Sequence, residues 1–375
     1  MSTVVIAVVL TALIFDFTNG FHDTANAMAT SIATGALRPR VAVVLAGVLN
    51  LVGAFLSVQV ALTISSGLVD EARITPAVIF GGLIGATWVV AGTGAINFST
   101  VAGKVLLPLA LSPVVAGVVA LSATWIAYRI AARGHRRTTT RGFARAQIVS
   151  ASMIALAHGT NDAQKTMGVI TLTLITVGLL PAHSAPPLWV VGAAGLAIAA
   201  GTAMGGWRII HTLGRRISDI ESPQGFAAES ASAAVILSAA HLGFALSTTQ
   251  VASGAVLGSA AGRRAGPVRW RVAGRMAAVW LLTLPAAAAV GALAAWVAAR
   301  GTWGTVLVGA VLVVASAGSY LLSRRAPVTA DTVSPATVTE LPAQRAPEHV
   351  LGSSAAAEQG ADPQVGQPAA AARAA

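Results

Sequence analysis

From residue 41 to 64 the chain carries no charged side chain, and from 105 to 131 it carries one only at Arg129. A helix that crosses a bilayer needs about 20 consecutive, mostly apolar residues. Both stretches therefore read as membrane spans, the second kinked by Pro108 and Pro113. Residues 188–207, 272–299 and 302–322 read the same way. Composition agrees: of 375 residues, 55% are hydrophobic and 10% charged, and the mean hydropathy is +0.75. These values describe a polytopic membrane protein and exclude a soluble globule. With no cysteine in the chain, disulfides and thiolate metal sites are excluded as well.

The net charge of +11 does not point to nucleic acid. Eighteen of the 24 cations fall in five places: Arg38 and Arg40, residues 129–145, 208–216 and 263–275, and Arg324 with Arg325. All lie between or after apolar spans, as expected of cytoplasmic loops under the positive-inside rule. A nucleic-acid face would need aromatic or base-reading partners beside the cations, and there are none. The start lacks a basic n-region and its apolar run contains Asp16, so it reads as a first membrane helix and not as a cleaved signal.

That first span is broken by Asn19-Gly20-Phe21-His22-Asp23-Thr24-Ala25-Asn26-Ala27. Ionisable groups at membrane depth are costly and usually face a pathway; the bland alternative is a polar turn between two short helices at the surface. The pattern recurs at His158-Gly159-Thr160-Asn161-Asp162-Ala163-Gln164-Lys165, with Gly20 matching Gly159, Asp23 matching Asp162 and Asn26 matching Lys165. Each copy follows an apolar half-span, at 4–15 and 148–157. Two interrupted hydrophobic segments at corresponding places in two halves point to the binding site of a secondary transporter.

The expected architecture is an all-α polytopic membrane protein of two inverted-topology repeats with broken helices and re-entrant hairpins. Residues 1–131 form the first repeat, 132–145 a basic cytoplasmic linker, 146–325 the second repeat, and 326–375 a disordered cytoplasmic tail without an aromatic residue. Residues 227–261 lie between two basic segments and must enter and leave by one side. The middle of this hairpin carries Gly243, Ser247, Thr248, Thr249, Gln250 and Gly254, and a polar tip is tolerated where it lines a cavity. Residues 75–94 are its shorter counterpart in the first half, without a Ser-Thr-Thr run.

The two Gly-x-polar-Asp stretches together resemble the paired signature of the inorganic phosphate transporter family. Leu246-Ser247-Thr248-Thr249-Gln250 resembles that family's Pro-Val-Ser-Thr-Thr-His motif, and Trp280-Leu281-Leu282-Thr283-Leu284-Pro285 is similar to its late Trp-x-x-Thr-x-Pro stretch. The resemblance spans residues 4–322 and implies a multi-pass carrier of the cell membrane. It implies import of inorganic phosphate, or of a metal-phosphate complex, by symport. The His-Asp-Thr-Ala-Asn-Ala version looks like the bacterial low-affinity branch, associated with protons; other members use sodium. No cofactor beyond the coupling ion, H+ or Na+, is implied. The partners are inorganic phosphate and the lipid bilayer, with a homodimer left open. The chain departs from the pattern at Gln250, where the family has His, and in the first half, where Ile79-Phe80 runs straight into Gly81 and one helix with its polar tip is missing.

The residues carry a chemistry of their own. In a helix, Asp16, Asn19, Asp23 and Asn26 share one face, as do His158, Asp162 and Lys165. Helices broken near Gly20 and Gly159 would present N-terminal N–H groups to an anion. Ser247, Thr248 and Thr249 add hydroxyl donors. Lys165, one of two lysines, either supplies a point charge to phosphate or pairs with Asp162. Asp23 and Asp162 repel an anion and suit a coupling cation or proton; His22 either shares that proton, binds the metal of a metal-phosphate, or is structural. Candidate binding residues are thus His22, Asp23, Asn26, Asn161, Asp162, Lys165, Ser247, Thr248 and Thr249. Glu229 is expected to pair with a nearby Arg. The chain is not expected to be an enzyme: a metal-dependent hydrolase wants three ligands at a spacing that is absent. A sulfate permease on the same scaffold is the closer alternative.

Overall fold

The computed structural model describes residues 3–81, 93–133, 136–207, 210, 220–263 and 270–323. Among these the fold is helical, with one isolated bridge between Val69 and Ile96 in place of a sheet. The first half comprises α1 (Thr3–Ala33), α2 (Pro39–Ala54), the short α3 (Gln59–Leu62) and α4 (Pro76–Gly81), and α5 (Leu107–Arg133). The second half comprises α6 (Arg136–Thr176), α7 (Leu188–Met204), α8 (Ser222–His241), α9 (Thr248–Gly262), α10 (Trp270–Ala298) and α11 (Thr302–Ser323).

Among the described residues three stretches are long and apolar enough to cross a membrane: Val4–Ala33, Phe98–Arg133 and Ala273–Ala298. A further apolar pair, Pro39–Ala54 and Gln59–Gly67, is bent by 60° at a short break. With no water in the bilayer core, backbone groups freed by such a bend need internal partners. Gln164 of α6 supplies them: its Oε1 accepts from the Val60 and Ala61 amides at 2.7 and 3.3 Å. The expected hairpin is present as α8 and α9, joined by a turn in which Gly243 takes φ +69.

Two expectations change. α1 and α6 run unbroken through Gly20 and Gly159; the bends lie instead in the second span and in the hairpin. The glycines serve close approach and not helix breaking. A Cβ on Gly20 would lie 2.2 Å from the Ile198 carbonyl oxygen of α7, and one on Gly159 2.1 Å from the Asn50 carbonyl oxygen of α2. The contact repeats one turn away, where Gly201 faces the Phe17 oxygen and Gly53 the Leu156 oxygen, at 1.9 and 2.2 Å. The two sets correspond position for position, so α1 crosses α7 as α6 crosses α2. Small residues at such crossings let membrane helices come together. The second change concerns the basic linker: residues 136–145 are the first turns of α6.

Residues 82–92 of the expected first-half counterpart, most of the basic segments 208–216 and 264–269, and the tail at 326–375 lie outside the described residues.

Gly159→Ala puts a methyl group against backbone and is expected to destabilise the fold by about 1–3 kcal/mol. Gly192 of α7 has nothing within 4 Å of such a methyl; Gly192→Ala should be neutral or stabilise by about 0.4–1 kcal/mol. Thermal unfolding of the two variants in detergent checks the contrast.

Candidate functional site

Because α1 and α6 are continuous helices, their polar positions form stripes, and the glycine crossings turn both stripes inward. Asp23 from α1 and Asp162 from α6 meet beneath the first turn of α9. The Thr248 hydroxyl donates to Asp162 Oδ2 at 2.9 Å and lies 3.4 Å from Asp23 Oδ2. Thr249 donates to Asp23 Oδ1 at 3.2 Å. Asn26 donates from Nδ2 to both Asp23 Oδ1 and Thr249 Oγ1, at 2.7 and 2.8 Å. On the other side Lys165 Nζ donates to Asp162 Oδ1 at 2.6 Å.

A third titratable group completes the centre. A ring nitrogen of His158 and oxygens of Asp23 and Asp162 lie within 4.8 Å of one another, close enough to hold a cation between them. His158 Nδ1 sits 3.0 Å from the Ile154 carbonyl oxygen, which fixes the ring, and its buried Nε2 has no partner. Sequence reasoning passed over His158 as a site residue although its place on the Asp162–Lys165 face was visible. The helical offset of four was the signal.

The remaining candidates divide. Ser247 is the N-cap of α9, its hydroxyl oxygen accepting from the Gln250 amide at 3.4 Å, so it sets the direction of the helix start. Asn161 is fully buried, with neither end of its amide partnered. His22 is not gathered with the others: it is exposed, its ring edge-on to Phe21 at 5.7 Å. Among the described residues Glu229 has no arginine partner. It is buried among hydroxyls and an amide, accepting from Ser150 at 2.6 Å, Gln147 at 3.2 Å and Thr30.

The start of α9 is held from the first half. Lys104 Nζ donates to the Leu242 carbonyl at 2.8 Å and lies over the Phe244 ring, while Thr63 donates to the Gly243 carbonyl at 2.9 Å. These contacts clamp the turn that aims Thr248 and Thr249, with the free N–H groups and positive dipole end of a 15-residue helix, at the two aspartates. The site thus sets hydroxyl and amide donors, which suit an oxyanion, against carboxylates and an imidazole, which suit a cation. Lys165, its side chain 31% exposed, also lines a cavity of about 270 Å3 with Phe15, Ile79 and Thr166.

Comparison with known proteins bears on this arrangement. A sequence model described as the phosphate transporter family matches residues 19–80 and 74–291. The two matches meet where the first half lacks its Ser/Thr motif. A Mycobacterium bovis protein named probable low-affinity inorganic phosphate transporter is 50% identical over 351 residues, covering 86% of this chain and 84% of its own. A Rhizobium meliloti protein of the same name is 39% identical over 315 residues, covering 77% and 94%. A solved structure titled the sodium-dependent phosphate transporter shares the fold, with a TM-score of 0.70 at 22% identity, over 79% of this chain and 99% of that one. These relatives are carriers and not enzymes, and the apolar spans make this chain a multi-pass membrane protein. With both halves matched in order, and with the paired aspartates lying within those matches, the chain belongs to the phosphate transporter family.

Proposed function

We propose that this chain is a low-affinity permease that imports inorganic phosphate in symport with a cation. One observation carries the reading: Asp23 and Asp162, at corresponding places in the two halves, converge on the single hydroxyl of Thr248. An anion reaching the start of α9 competes with these carboxylates for Thr248 and Thr249. Both acids, released from their hydroxyls, then repel the newcomer unless positive charge arrives with it. Lys165 is the one fixed cation hydrogen-bonded to the pair. Positive charge entering with phosphate restores the balance, as a proton, a sodium ion, or a divalent ion carried as metal-phosphate. The spacing of Asp23, His158 and Asp162 favours the divalent form as cargo.

Purified protein in liposomes should accumulate labelled phosphate under an imposed cation gradient, with sulfate a poor competitor. Comparison of proton and sodium gradients, with and without a divalent metal, identifies the coupled species. Absence of phosphate uptake under every gradient sinks the proposal. Asp23→Asn and Asp162→Asn should each abolish coupled uptake while the protein still reaches the membrane. Near-normal transport in both would end the shared-site reading.

Hydrogen bonds to charged groups contribute about 1.5–3 kcal/mol, and each 1.4 kcal/mol is tenfold in affinity. Thr248→Ala should therefore weaken apparent phosphate affinity at least about tenfold. Uptake measured across a range of phosphate concentrations gives the answer, and an unchanged midpoint removes the hairpin tip from the site.

A further inference from the structure

Asp16 stands two helical turns before Asp23 on the same face of α1. It is fully buried, and neither carboxylate oxygen has a hydrogen-bond partner among the described residues. The charged groups that act on it are both on α6, Asp162 and Lys165, and the hydroxyl beside it is that of Thr166. Of the other helices packed against α1, α4, α7 and α9 contain no titratable residue, α2 carries Arg40, and α8 carries His241 and Glu229, which accepts from Thr30 near the other end of α1. The phosphate reading assigns Asp16 no part.

We propose that Asp16 is a proton-binding site of the carrier, separate from the Asp23–Asp162 centre and linked to it through Lys165. An ionised carboxylate buried without a partner costs several kcal/mol, and such a group takes up a proton instead. Lys165 does not neutralise it, because its ammonium is bonded to Asp162 at 2.6 Å. A hard metal ion is poorly served here too: magnesium and calcium take six or more oxygens, and beside Asp16 the described residues show one hydroxyl, that of Thr166. The neutral acid satisfies the site with a single hydrogen.

Release of that proton needs a positive charge for the carboxylate left behind and a way out. Lys165 supplies the first when it leaves Asp162. The second is the cavity of about 270 Å3 that Lys165 and Thr166 line together with Phe15 and Ala12, the neighbours of Asp16 along α1. The proton is held while Lys165 sits on Asp162 and leaves when Lys165 turns to Asp16. One hydrogen ion is bound and one released, with no other bond made or broken.

The proposal rests on the transport reading for its purpose but not for its test. Infrared difference spectra of the full chain in lipid nanodiscs, taken across neutral pH, should show a protonated-carboxyl stretch that is lost in Asp16→Asn. The same band at full intensity in Asp16→Asn overturns the assignment, whether or not the protein moves phosphate. In liposomes, Asp16→Asn should lose accumulation driven by a pH gradient, and Asp16→Glu, which keeps an acid, should restore it. Wild-type accumulation by Asp16→Asn under a pH gradient overturns the proposal. If Asp16→Asn fails to reach the membrane, Asp16→Glu carries the test: its carboxyl band should be shifted from the wild-type frequency, and an unshifted band overturns the assignment. Wild-type protein that moves no phosphate but shows the band would fail as a permease while keeping its proton site.

Discussion

A bilayer gives a carboxylate nothing to bond with, and two helices of this protein carry carboxylates through it. The rest of the structure follows from that constraint. Asp23 and Asp162 are tolerated because donors surround them: Asn26 and Lys165 from their own helices, and Thr248 and Thr249 from the start of α9. The two helices that carry the acids are each held by a partner helix that crosses almost backbone to backbone. The glycines at 20, 53, 159 and 201 make that crossing, and no larger residue fits at any of them. The hairpin is the third part of the arrangement, clamped by Thr63 and Lys104 so that its second helix begins on the aspartates.

Much of this was legible in the sequence because it is periodic or repeated. The offsets among Asp16, Asn19, Asp23 and Asn26, and among His158, Asp162 and Lys165, give one face to each helix without any tertiary knowledge. The duplicated Gly-x-polar-Asp pattern pairs the two stripes, and Ser247-Thr248-Thr249 stands out as a polar interruption between basic segments. What stayed hidden depends on contacts across more than a hundred residues. Glycine in an apolar run reads equally as a break or as a close crossing, and only the partner helix distinguishes them. Gln164 looks like one more polar residue in its motif, yet it holds the bent second span. Glu229 suggested an ion pair because buried charge usually has one; the donors it uses, from Thr30, Gln147 and Ser150, are ordinary in sequence. His22 and His158 illustrate the same limit, since helical phase alone put neither in contact with a given partner.

The halves are alike at their crossings and unlike at their tips. The second half has a full hairpin with a hydroxyl-bearing start. In the first half the described residues of the equivalent stretch are α4 and the segment before α5, whose Lys104 serves the other half's turn. Among the described residues the hydroxyl donors to the acids are one-sided, coming from α9, while the carboxylates are two-sided.

The reciprocal crossing of α1 with α7 and of α6 with α2 has a consequence for biogenesis. As the chain leaves the ribosome, Gly20 and Gly53 are made long before the backbone carbonyls and glycines of the second half that they pack against. Until residue 201 is synthesised, Gly20 lacks the α7 backbone it packs against, and Gly53 waits for α6. Each half thus supplies the carbonyl that closes on the other's glycine, so the duplication interlocks its two copies, and the crossings are complete only when both are present.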